Sequence, residues 1–158
     1  TKMGNGASYV DALREAQKRG YAEADPTGDV EGFDTAGKLV ILSSTIMNTS
    51  LGMEQVDRVG ITGISKSDIE HANQNGSKWK LIGKLEKTEQ GVRSSVRPVC
   101  LSLSHPLANV DGATNAITFN TDLLGDITLI GPGAGRMETG YAIICDLLDI
   151  FREEFDEK

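Results

Sequence analysis

Trp79-Lys80-Leu81-Ile82-Gly83-Lys84-Leu85-Glu86 alternates side chains along its length. Trp79, Leu81, Gly83 and Leu85 take turns with Lys80, Ile82, Lys84 and Glu86, the period-two pattern of a half-buried strand. Gly91 turns the chain into a second extended run, Val92 to Leu103. Two more strands are expected at Asn115 to Asn120 and Asp126 to Ile130. Val56 to Ile64 is a further strand-containing region.

Helical spacing flanks this centre. Ser8 followed by Asp11 resembles a capping box, Tyr9, Leu13 and Ala16 recur at helical intervals, and Gly20 stops the helix. Tyr21 to Gly32 is acidic, is broken by Pro26, Gly28 and Gly32, and reads as a loop. Asp34 is expected to cap a second helix, with Ala36, Leu39, Val40, Ile46 and Met47 on one broad apolar face against a sheet, ending near Asn48. A short helix over Ser67 to Asn75, opened by Ser67 or Asp68 and ended by Gly76, precedes the Trp79 strand. The last helix carries Met137, Tyr141, Ile144, Leu148, Phe151 and Phe155 at steps of three and four, with Arg152, Glu153 and Glu154 outside, and that stripe reads as core. The expected fold is α+β: a mixed, largely antiparallel β-sheet with helices packed on one face, in one domain spanning residues 1–158.

Bulk composition narrows the function. A chain of 158 residues, 39% hydrophobic and 25% charged, has the profile of an ordinary globular domain. A net charge of −7 and the lack of any basic run argue against nucleic acid or an anionic membrane as partner. The apolar runs are too short to span a bilayer. Two cysteines, Cys100 and Cys145, fit a reduced cytoplasmic protein. Thr1-Lys2-Met3 leads through Gly-Asn-Gly into a helix, with no strand and Gly-rich phosphate loop before it. The main dinucleotide cradle is therefore expected to lie outside this chain.

Chemistry concentrates in two places. Glu23, Asp25 and Asp29 load the loop before the second helix with negative charge, and Asp34 and Lys38 follow at i, i+4 on one helix face. On spacing alone such a pair is most often a surface ion pair worth ~0.3–0.5 kcal/mol; the acidic loop beside it raises the alternative, a lysine held by carboxylates, ready to protonate an oxyanion. Gly131-Pro132-Gly133-Ala134-Gly135, between the last strand and the last helix, is either a turn or a place where backbone approaches a ligand at a helix N-terminus. It is no P-loop, because no Gly-Lys-Ser/Thr follows. His105, before Pro106, reads as structural and His71 as solvated. No His/Cys/Asp cluster has metal-ligand spacing, and neither cysteine has a base or a Gly-rich turn beside it to make it a nucleophile.

The run Gly20-Tyr21-Ala22-Glu23-Ala24-Asp25-Pro26-Thr27-Gly28-Asp29-Val30-Glu31-Gly32-Phe33-Asp34-Thr35-Ala36-Gly37-Lys38 resembles the signature of the homoserine dehydrogenases. His105-Pro106-Leu107-Ala108 to Gly112 with Asn115-Ala116-Ile117, and Gly131 to Gly135 followed by Thr139 and Asp146, are similar to two further motifs of that family, in its order. The resemblance implies NAD- or NADP-dependent interconversion of L-aspartate 4-semialdehyde and L-homoserine, in threonine and methionine biosynthesis. It implies Lys38 as proton donor to the carbonyl oxygen. Glu23, Asp29 and Asp34 would hold the amino acid, Glu23 at its ammonium group and Asp34 also orienting Lys38. Gly20, Glu23, Gly133, Ala134 and Gly135 would meet the cofactor, with no metal. It further implies a homodimer through the β-sheet and a last helix packed on a nucleotide-binding domain upstream of Thr1, without which this chain is expected to be inactive. The alternatives are a non-catalytic dimerisation or amino-acid-binding module of the same fold, and a dehydrogenase for a different amino-acid semialdehyde.

Overall fold

A computed structural model describes residues 9–18, 24–112 and 114–156. The chain divides into two compact units, Thr1–Ala108 and Asn109–Lys158.

The first unit opens with helix α1 (Tyr9–Lys18); the expected cap Ser8 and stop Gly20 lie outside the described residues. The stretch read as loop contains a single helical turn, α2 (Thr27–Val30). Its local cause is Asp25, whose carboxylate accepts the Thr27 N–H at 3.1 Å and the Thr27 hydroxyl at 2.6 Å. Helix α3 spans Phe33–Thr45. Asp34 is not its cap, contrary to expectation. The N-cap is Gly32, at φ 77° with no side-chain cap bond. A Cβ there would stand 2.9 Å from Val96 Cγ1, so tertiary packing, together with the left-handed turn, demands glycine. Helix α3 also stops three residues before Asn48, and Asn48 itself has a left-handed φ of 51°.

Strand β1 (Val56–Arg58) runs parallel to β3 (Gly91–Ser102), and β3 pairs antiparallel along its whole length with β2 (Ser77–Thr88), giving the order β1-β3-β2. Helix α4 (Lys66–Gln74) precedes β2. Its cap is Ser65 rather than Ser67 or Asp68. The Ser65 hydroxyl accepts the Asp68 N–H at 3.1 Å while the Asp68 carboxylate accepts the Ser65 N–H at 2.8 Å, a reciprocal capping box.

Strand β2 forms as expected, but burial alternates only in part: Trp79 to Gly83 are all half-buried, and Lys84 and Lys87 are exposed. The indole N–H of Trp79 donates to the Asp68 carbonyl of α4 at 3.2 Å, and Leu81 and Leu85 pack against the core of Ala36, Leu39, Val56 and Val96 under α3. Both helices thus cover one face of the sheet. Each fully buried side chain of this kind contributes roughly 1.5–3 kcal/mol. Gly83 permits the contact: a Cβ would lie 2.9 Å from Thr35 Cγ2 and 3.2 Å from the Leu39 methyls. The expected face of α3 is buried at Ala36 and Leu39, whereas Ile46, beyond the helix end, is exposed.

The second unit holds a hairpin of β4 (Thr114–Thr121) and β5 (Gly125–Pro132), followed by helix α5 (Arg136–Asp156). The hairpin forms its own two-stranded sheet. Strand β5 runs two residues further than expected, through Gly131 and Pro132, because Thr114 and Asn115 pair with them. The stripe on α5 is not core. Met137, Tyr141, Ile144, Leu148 and Phe151 are 50–82% exposed; the Phe155 side chain lies outside those described. Periodicity specifies a face that gains by being covered, not what covers it.

Candidate active site

The first turn of α3 carries the strongest chemistry. Asp34 and Lys38 stand one turn apart, and the Lys38 ammonium donates to the Asp34 carboxylate. Helical spacing alone brings them together. Their side chains are 55% and 53% exposed, so a ligand can reach both.

Around this pair the acidic segment is used more locally than expected. Asp25 is consumed by Thr27, whose hydroxyl and then backbone N–H hold its carboxyl below the usual aspartate value. The Glu31 carboxylate accepts the Thr62 hydroxyl at 2.9 Å. Asp29 is exposed on α2, its carbonyl accepting the Gly32 N–H at 3.2 Å, and among the described residues no contact joins its carboxylate to Lys38. Gly20 and Glu23 lie outside the described residues. Of the described residues named for the substrate, Asp34 and Lys38 are therefore the two in contact.

A second segment grips the turn from which α3 starts. Ile61 N–H donates to the Val30 carbonyl at 2.8 Å, and Arg58 Nη1 donates to the Glu31 carbonyl at 2.6 Å. The Arg58 guanidinium also lies 3.4 Å from the centroid of the Phe33 ring. Gly60 makes room: a Cβ would meet the Val30 carbonyl oxygen at 2.5 Å. Arg58 escaped the sequence reading, since it lies 27 residues from Glu31 and no local pattern announces the contact.

The glycine string belongs to the second unit. Gly131 and Pro132 are strand, so the link to α5 is Gly133, Ala134 and Gly135. A Cβ on Gly133 would collide with the Asn115 side chain at 2.2 Å, and one on Gly135, at φ 150°, with Glu138 Oε2 at 1.9 Å. These two glycines accommodate the chain's own side chains. Beside them, Gly135, Arg136, Thr139, Gly140 and Ile143 line an open depression of about 560 Å³. Nothing lies within 4 Å of a Cβ on Gly140. The residues present thus fit a surface contact with one end of a nicotinamide dinucleotide, made with an open helix start and Arg136, and do not form an enclosing cradle.

The remaining candidates stay structural. The Nδ1 of His105 accepts the Leu107 N–H at 3.1 Å and anchors the turn Pro106–Asn109. His71 is exposed in α4. Cys100 and Cys145 are free thiols; the Cys145 thiol raises the Tyr141 phenol above its usual value from one turn away on α5. Among the described residues no group of His, Cys, Asp and Glu could hold a metal.

The family model described as homoserine dehydrogenase matches residues 1–148. The NAD(+)-dependent homoserine dehydrogenase of Pseudomonas canavaninivorans is 44% identical over 95% of this chain, which spans 43% of that protein. The crystal structure of a homoserine dehydrogenase from Thiobacillus denitrificans superposes with a TM-score of 0.90 at 38% identity, covering 97% of this chain and 36% of that one. A hyperthermophilic archaeal homoserine dehydrogenase solved in complex with NADPH gives a TM-score of 0.79 at 30% identity over 96% of this chain and 43% of its own.

Proposed function

The chain belongs to the homoserine dehydrogenase family, and from that premise we propose that it carries the substrate-binding and proton-donating part of an oxidoreductase interconverting L-aspartate 4-semialdehyde and L-homoserine. Reducing an aldehyde to a primary alcohol takes a hydride to carbon and a proton to oxygen. NAD or NADP, when bound, exchanges the hydride. Lys38 is the proton donor. Its ammonium gives a proton to the carbonyl oxygen as negative charge develops there, and solvent, which reaches this half-exposed side chain, restores it. In the reverse direction the neutral amine takes the hydroxyl proton of homoserine.

Asp34 orients the Lys38 ammonium. Asp29 and Glu23 supply carboxylates for the substrate's ammonium group. Gly20, Glu23, Gly133, Ala134 and Gly135 meet the cofactor at its nicotinamide end. The cradle for the rest of the dinucleotide comes from a separate nucleotide-binding domain of the enzyme, onto which the uncovered stripe of α5 docks. Without that domain this chain turns over no substrate. The enzyme is a cytoplasmic homodimer joined through β-sheet; Ile127 and Leu129, 38% and 58% exposed on one face of β5, support such a contact. No described helix is long and apolar enough to cross a membrane, and the net charge of −7 disfavours nucleic acid.

The observation that carries the reading is the accessible contact between Lys38 and Asp34. In the active enzyme, this chain joined to a dinucleotide-binding domain, Lys38→Ala lowers kcat by roughly 10²–10⁴-fold, the usual worth of general acid catalysis. KM for homoserine moves much less. An unaltered kcat excludes Lys38 as the donor.

A further inference from the structure

We propose that Arg58 is a positioning residue of the reaction: by clamping both residues that flank Gly32, it sets the direction in which α3 leaves its first turn, and with it the place of Asp34 and Lys38. The proposal rests on Lys38 being the proton donor. Helix α3 starts without a side-chain cap, at a glycine in the left-handed region. No side-chain cap in its own first turn fixes the entry angle. Arg58 does so from β1, where its pairing with Val96 puts it on the same face of the sheet as Val56, the face α3 covers. Its Cγ lies 3.6 Å from where a Gly32 Cβ would stand, its Nη1 holds the Glu31 carbonyl, and its guanidinium plane lies on the Phe33 ring. Asp34 is the next residue.

Only a planar cation can donate in its plane and stack with its face at once. Lysine can satisfy the carbonyl or the ring, not both. The neighbouring bonds from Ile61 and Thr62 hold Val30 and Glu31; Arg58 alone in this segment reaches across Gly32 to Phe33. A proton donor misplaced by about an ångström can lose up to roughly 10²-fold in rate. Arg58 need not touch substrate to matter.

The test is a double-mutant cycle in the active enzyme. Arg58→Met keeps the packed stem and removes the clamp. It should lower kcat roughly tenfold, a modest fraction of the loss that misplacement can cause, with a smaller change in KM. In a Lys38→Ala background the same change should have almost no further effect, because the group being positioned is gone. Arg58→Lys should fail to restore kcat. If Arg58→Met does not fold, Phe33→Leu removes the stacked ring and runs the same cycle. Equal losses in both backgrounds, an unchanged kcat, or full rescue by lysine overturns the role given to Arg58. A Lys38→Ala enzyme with wild-type kcat instead overturns the reading beneath it, and the two failures are told apart by that single variant.

Discussion

The Lys38 ammonium rests on the Asp34 carboxylate one turn earlier in α3, and each of these side chains is more than half exposed. An ion pair that open to water contributes little to folding, about 0–1 kcal/mol. Its two residues nevertheless sit on one helix whose start is gripped from β1, which sets where their backbone stands. Little stability and an accessible contact together suit a reacting group better than a structural one.

Asp34→Asn separates these roles. The substitution keeps the shape and removes the charge, so the urea midpoint should shift by no more than about 1 kcal/mol equivalent. The turnover of the active enzyme should fall by roughly 10-fold or more, as the orienting charge on the acid is lost. A large stability loss with kcat preserved would make the pair structural.

At Gly83 helix α3 packs closely on β2, and the space a Cβ needs is taken by Thr35 and Leu39. Gly83→Val should therefore push the helix outward and cost about 1–3 kcal/mol, as overpacking does, despite the better strand propensity of valine. Because α3 also carries Lys38, kcat should fall alongside the denaturation midpoint. A variant as stable and as active as the parent would show that the helix does not depend on this approach.

The capping box of α4 makes part of the stability pH-dependent. The Ser65 hydroxyl, and then its N–H, hold the Asp68 carboxyl below its usual value. A carboxyl lowered in the folded state adds stability that is complete above its unfolded pKa and disappears as pH falls through the folded one. Ser65→Ala should cost about 1 kcal/mol at neutral pH, typical of a lost cap. The gap to the parent should narrow as pH drops through and below the ordinary aspartate range. Trp79, the chain's one tryptophan, donates to the Asp68 carbonyl, so its fluorescence reports on α4 directly. A gap that stays constant from neutral to strongly acid pH would count against the box.

Local pattern made much of this molecule legible. The alternation from Trp79 to Glu86 identified strand β2 and the face it turns to the core, and the Asp34–Lys38 spacing identified their contact, because residues four apart on a helix meet whatever surrounds them. Caps were less legible. Ser65 and Ser67 each have an acidic residue three positions on, Asp68 and Glu70, so the capping-box pattern alone does not choose between them; the structure uses Ser65.

What the chain's order of residues determined by itself is the set of helices and strands, their apolar faces and any contact within a single turn, since each follows from a repeat of two or 3.6 residues. Tertiary structure decided the rest. It called for glycine at position 32 because Val96 occupies the space beside it, joined Arg58 on β1 to Glu31 and Phe33 at the start of α3, and spent the Glu31 carboxylate on Thr62. Contacts between residues some thirty positions apart depend on how strands pair and helices dock. No periodicity in the chain encodes them.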